Sequence, residues 1–160
     1  MGGGSSLCTE ILLDRVRSLY NVGAFFRTGD AVGVEKIHLG GYTGSPDQPG
    51  AAKTALGAEK SVAWERADDP EALVERWRAK GLEIVAVEAG PGAIDLYDWE
   101  PRFPLGLIFG NEVDGVSEEL LAHADHHVEI PMLGVKDSLN VAVAGGVVLY
   151  ELLRKRAGRP

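Results

Sequence analysis

The chain has a single cysteine, Cys8, in 160 residues, which excludes an intrachain disulfide and a cysteine-clustered zinc site. It has no apolar run near the ~20 residues that a bilayer-spanning helix needs. Residues 141–150 come nearest and are too short. It also lacks positive charge. With 16 basic and 24 acidic residues the net charge is −8, so it is no general polyanion binder, and any nucleic-acid function must use a local patch. The opening MGGGSSLC has neither the charged nor the apolar region of a secretory signal. Residues 1–8 are expected to form a flexible tail, although Gly2 and Ser6 also fit the loose myristoylation pattern, with Cys8 nearby. These absences point to the cytoplasm.

What is present suits one soluble domain over residues 9–157: apolar residues make up 45% and the mean hydropathy is −0.03. Short apolar strands are expected at residues 9–14, 36–40, 61–64, 82–87, 105–109 and 127–130. Helices are expected from Asn21 as cap to about Val34, over residues 51–59, from Asp69 to Lys80, after Ser117, and from Ser138 or Leu139 to the C-terminal region. Residues 41–50 and 88–104 read as irregular connections. Alternating strands and helices give an α/β fold with a mostly parallel sheet. The last helix is apolar almost all round, so burial on most sides is expected. Ala144, Gly145 and Gly146 at its middle imply close approach of another backbone, such as a second subunit.

Two junctions hold polar groups where packing alone gives no reason for them. Gly110-Asn111-Glu112 follows a buried strand, at the edge where open α/β sheets bind ligands. Lys136, Asp137, Ser138 and Asn140 sit between an apolar strand and an apolar helix, a place for caps, turns or a site. On the first helix, Gly23 and Arg27 share a face. The arginine reads either as a partner for Asp30 or as a fixed cation for a phosphate beside a surface opened by the glycine. Basic groups recur at Arg15, Arg17 and Arg27 and at Arg154, Lys155, Arg156 and Arg159, the latter also a natural C-terminal complement to a helix dipole.

Weaker motifs compete with these. The turn at residues 88–92 imitates the glycine-rich fingerprint of a Rossmann-type methyltransferase, but the following AIDLYDWEPRFP has no helical period. Lys53-Thr54 echoes a P-loop without the glycine that should precede the lysine. His123, His126 and His127 cluster, yet lack a partner loop that would complete a metal site, so no metal is expected.

Three blocks together, RSLYNVGAFFRTGDAVGV, LIFGNEVDGVS and IPMLGVKDSLNVAVAGGVVLYE, resemble the motifs of the SpoU (TrmH-like) RNA ribose methyltransferases of the SPOUT superfamily. The resemblance implies a single-domain fold with a C-terminal deep trefoil knot over roughly residues 82–151, an exception to the rule against threaded loops. It also implies S-adenosyl-L-methionine as cofactor and a homodimer formed through the knot region and the C-terminal helix. The activity implied is methylation of a ribose 2′-hydroxyl in RNA, with tRNA favoured over rRNA. By the same resemblance, Asn21, Arg27, Glu112, Ser138 and Asn140 are the catalytic set. Cofactor contacts fall on Val87 and the loop after it, Gly110, Ile130, Met132, Ser138 and Leu139. Arg15, Arg17, Arg27, Arg154 and Arg156 are the residues expected to meet RNA. The extra N-terminal RNA-binding domain of some members is not expected, so the core dimer would capture substrate. Two other readings stay open: a non-catalytic RNA- or protein-binding module of the same fold, and the Rossmann-type enzyme.

Overall fold

Apolar residues alternate sides along the central strands, and that alternation builds both faces of the core. Ile11 and Leu13 face one way with Leu107 and Phe109, and Leu12 faces the other way with Ile108. The structure, a computed structural model, describes residues 6–158. Seven strands form one sheet: β1 (Thr9–Asp14), β2 (Lys36–Gly40), β3 (Ala63–Ala67), β4 (Glu83–Val87), β5 (Ile94–Asp95), β6 (Leu105–Phe109) and β7 (His126–Glu129). The order is β3-β2-β1-β6-β4-β7-β5, and each pairing is parallel. Helices α1 (Leu19–Val32), α2 (Pro49–Ala55) and α5 (Val141–Arg156) share the larger core on one face; α3 (Pro70–Ala79) and α4 (Glu118–His123) close the other. Burial on both faces explains why β6 is apolar along its whole length. Among the described residues, no helix is long and apolar enough to cross a membrane.

Local chemistry moves several boundaries from their expected positions. Helix α1 starts at Leu19, because the Ser18 hydroxyl, not Asn21, accepts the first-turn N–H, that of Asn21 itself. The Asn21 amide is committed elsewhere. Pro49 opens α2 inside the expected loop, as proline does at a first helical position. Strand β3 begins at Ala63, two residues late, and the long connection after β4 holds the two-residue β5. Helix α5 begins at Val141 under Asn140, whose side-chain oxygen accepts from Ala142 N and Val143 N at 2.9 and 3.2 Å. Ser117 takes the cap position of α4 without a side-chain bond; its N–H donates instead to Asp14 at 2.8 Å.

Three expectations about burial are corrected. Within the expected tail, Ser6 to Cys8 already belong to the fold: Leu7 is buried and its N–H bonds Gly33 O at 2.9 Å. Gly2, with the myristoylation pattern, lies outside the described residues, as does Arg159. Helix α5 is not buried on most sides within one chain. Gly145, Val148, Leu149 and Leu152 are covered, but Val143 and Tyr150 are each 53% exposed. The two glycines of α5 therefore differ, Gly145 lying against the Phe25 ring while Gly146 has open space beside it.

The third correction concerns Gly23. It does not open a surface to a phosphate, because the α2 backbone fills that space: an added Cβ would run into Ala51 O and Thr54 Oγ1. Alanine is the better helix former by roughly 1 kcal/mol, but forced separation of α1 and α2 outweighs that gain. Gly23→Ala is expected to lower the unfolding free energy by about 2 kcal/mol, measured by urea denaturation. Gly146→Ala is expected to leave it unchanged or slightly raised.

Candidate cofactor cleft and the Glu112 turn

Strands β6, β4 and β7 are neighbours, so their C-terminal loops meet. With the segment before α5 they enclose a cleft of about 450 Å³, within the range of small-molecule sites. Val87 and Glu88 come from the β4 end, and Gly110, Asn111 and Glu112 from the β6 end. Ile130 and Met132 follow β7, and Ser138 and Leu139 precede α5. All six residues expected to contact a cofactor therefore line one cavity.

The turn after β6 is built around two residues. A Cβ at Gly110 would strike the backbone of Gly115 and Val116, because Asn111 and Gly115 pair N–H to carbonyl at 3.0 and 2.9 Å. Asn111 is buried, and its amide is fully used. Its Oδ1 accepts from Val113 N and Asp114 N at 2.8 and 2.9 Å, and its Nδ2 donates to Arg15 O and the Tyr42 hydroxyl at 2.8 and 2.9 Å. Glu88 closes the turn from β4 by accepting Val116 N–H at 2.9 Å.

Glu112 then reaches across to the start of α1. Its carboxylate accepts from Arg17 N at 3.0 Å, Ser18 N at 3.3 Å and Asn21 Nδ2 at 3.3 Å. The Asn21 oxygen accepts in turn from Asn140 Nδ2 at 3.3 Å. Asn21, Glu112 and Asn140 thus form one chain of hydrogen bonds at the mouth of the cleft, with Ser138 two residues away. Partial burial opposes ionisation of Glu112, yet the bonds from Arg17, Ser18 and Asn21 outweigh it and hold the carboxyl below its usual range. Glu112 is a clamp and a weak base.

The expected RNA-binding arginines do not converge in one chain. Arg15 is committed to Asp14 at 3.3 Å and to Gly115 O at 3.2 Å. Arg17 and Arg27 are exposed. Arg27 stands six residues along α1 from Asn21, about 9 Å down the axis, and does not line the cleft. Asp30, its expected partner, accepts instead from the Ser61 hydroxyl at 2.7 Å. Arg154 pairs with Glu151, and Arg156 lies over the Phe103 ring and bonds Ser6 O at 3.3 Å. Both sit at the far end of α5, about 21 and 24 Å from Asn140 along the helix.

Sequence reasoning placed Glu88 in the cofactor loop after Val87 but missed its part in closing the Gly110 turn, and it missed Asp14 altogether. Each ends an apolar strand with a carboxylate at the sheet edge, the same signal that singled out Glu112. No helix follows residues 88–92, so a Rossmann-type phosphate turn is absent there. His123 is held by Glu71 and Glu75 at 3.2 and 2.9 Å, and among the described residues no group of three or more potential ligands gathers around a metal position.

The lining fits a cationic nucleoside. Val87, Ile130, Met132, Leu139 and Ala144 supply apolar contact, and Glu88, Glu112, Glu129 and Asp137 supply negative charge. Among the described residues no lysine or arginine lines the cleft. A parallel α/β sheet with such a cleft across three adjacent strand ends defines a cofactor-binding α/β protein. The chain belongs to the SpoU rRNA Methylase family, whose sequence model matches residues 9–150.

Individual relatives agree. A tRNA (guanosine(18)-2′-O)-methyltransferase of Thermus thermophilus is 37% identical over 91% of this chain and 74% of its own length. The crystal structure of the Aquifex aeolicus TrmH/SpoU tRNA modifying enzyme superposes with a TM-score of 0.87 at 32% identity, covering 96% of this chain and 77% of that one. An AdoMet-bound rRNA methyltransferase from Sinorhizobium meliloti gives a TM-score of 0.85 at 33% identity, covering 95% and 60%.

The depressed Glu112 carboxyl has a testable sign. A group whose folded pKa lies below its unfolded value contributes stability above the unfolded value and loses it as pH falls through the folded one. The stability gap between wild type and Glu112→Gln is therefore expected to be constant at neutral pH. It should shrink as pH drops below the ordinary glutamate value of 4.5, as read from urea melts across that range.

Proposed function

We propose that the protein transfers the methyl group of S-adenosyl-L-methionine to a ribose 2′-hydroxyl of RNA, with tRNA as the substrate. The observation that carries this reading is the acidic and apolar cleft beside the Asn21–Glu112–Asn140 chain. The family supplies the chemistry: bound there, the donor offers an electrophilic methyl on a sulfonium. Val87, Gly110, Ile130, Met132, Ser138 and Leu139 hold it. Glu112 fixes the start of α1 through Asn21, and Ser138 and Asn140 shape the loop beside the donor. Arg27 holds a phosphate and lowers the pKa of the hydroxyl by its charge, since a guanidinium is a poor proton acceptor. The proton leaves to the phosphate or to solvent.

The working unit in this reading is a homodimer of domains spanning residues 9–157. The chain threads a trefoil knot between roughly residues 82 and 151, and the dimer packs through that region and α5. Exposed Val143 and Tyr150 on α5 and fully exposed Leu133 and Val135 before it support an interface there. Arg27, outside the cleft of its own chain, serves the cleft of the second copy, and the cytoplasm is where the substrate is met.

The deciding experiment is transfer of radiolabelled methyl into total tRNA and rRNA, followed by mapping of the modified nucleotide. Incorporation into tRNA at a 2′-O position supports the proposal. None in either RNA, with cofactor binding intact, identifies a non-catalytic module instead. Arg27→Ala and Arg27→Lys are expected to cut single-turnover methylation at least a hundredfold while cofactor affinity is kept. Coexpressing Arg27→Ala with the cleft-filling Ile130→Trp tests the arrangement. Function across the interface restores about a quarter of wild-type activity in a random mixture of dimers, and function within one chain restores none.

A further inference from the structure

The geometry points to Tyr42 as a platform on which an unpaired base of the RNA stacks beside the ribose being methylated. This inference rests on the methyltransferase reading above. Tyr42 follows β2, at the same sheet edge as the cleft, and is 58% exposed. Its hydroxyl and the backbone on either side of it are nevertheless held. Its hydroxyl accepts from Asn111 Nδ2 at 2.9 Å, and Asn111 is the residue before Glu112. Arg66 grips the backbone on both sides of it, donating to Gly41 O at 2.7 Å and to Thr43 O at 2.8 Å. Thr43 is wholly buried, with its hydroxyl 2.7 Å from Gly40 O and accepting Val16 N–H at 3.0 Å.

A ring held this firmly yet open to solvent has already lost the freedom that binding would otherwise cost it. An exposed tyrosine needed only to satisfy Asn111 would be replaceable by water, so the presented ring face is what calls for explanation. RNA enzymes that address single-stranded loops splay bases onto aromatic side chains, and such stacking tolerates any base while favouring purines. Through Asn111 and Glu112 the ring is tied to Asn21, so a base stacked there sets the register of the neighbouring ribose. Tyr42 is a substrate-positioning residue, and no reacting atom touches it.

The test uses fluorescein-labelled oligoadenylate and oligouridylate decamers, with binding read by anisotropy for wild type, Tyr42→Phe and Tyr42→Leu. Wild type is expected to prefer oligoadenylate. Tyr42→Leu should weaken that binding about tenfold, toward the lower end of what losing one stacked base costs, and abolish the preference. Tyr42→Phe, which keeps the ring and loses the tether, should stay within about twofold of wild type. In methyl transfer, Tyr42→Leu should raise KM for RNA by a similar factor, with kcat at saturating RNA and cofactor affinity unchanged. Wild-type binding and KM in Tyr42→Leu would overturn the inference. So would equal losses in the Phe and Leu variants, which would assign the effect to the hydroxyl tether. Should Tyr42→Leu fail to fold, Tyr42→Trp decides: tighter oligoadenylate binding supports stacking, and unchanged or weaker binding overturns it. If wild type methylates no RNA, the functional reading fails on its own, and the decamers still report on Tyr42.

Discussion

One carboxylate joins the two halves of the site. Glu112 grows from the turn after β6, yet its oxygens are occupied by nitrogens of Arg17, Ser18 and Asn21, some ninety residues earlier in the chain. Because Arg17 and Ser18 offer backbone N–H groups just before α1, only proline there would remove those two donors. The loop that lines the cofactor cleft and the helix that carries Asn21 and Arg27 are therefore set at a fixed distance. Asn140 extends the same chain of bonds to the cap of α5. Three segments far apart in sequence share one hydrogen-bonded seam.

The seam also separates two electrostatic tasks. Carboxylates line the cleft, which suits a sulfonium and repels phosphate. Exposed arginines lie outside it, on α1 and its preceding loop. Under the proposed function, this division lets an acidic protein handle an RNA substrate, with negative charge facing the donor and the exposed Arg17 and Arg27 left outside the cleft for the nucleic acid. Arg15 does not join them. Its guanidinium steadies Asp14 and the Gly115 carbonyl, so it supports the turn from beneath.

Much of this was legible in the sequence, for identifiable reasons. Fully buried parallel strands leave continuous apolar runs, so β1, β2 and β6 fall on their expected bounds. Glycines and acids placed just after such runs betrayed the turn at Gly110, whereas the cap of α5 falls on Asn140 and the helix starts two or three residues later than expected. Family resemblance supplied the cofactor and the reaction. What stayed hidden depends on distance in the chain. Nothing local to Gly23 tells that α2 presses against it, nor that Asn21 gives up its capping role because Glu112 and Asn140 claim its amide. Periodicity likewise showed α5 to be apolar around its circumference, but not that one chain covers only the stripe facing α1.

The position of β1 has a consequence for how the protein is made. β1 pairs with β2 on one side and with β6 on the other, Thr9 lying opposite Leu105. A ribosome adding about 5–20 residues each second delivers β2 within moments of β1, but the residues of β6 only several seconds later. Throughout that interval β1, an interior strand of the finished sheet, has an unpaired edge, and the nascent polypeptide is at its most exposed to mispairing just before the segment that shapes the cleft emerges.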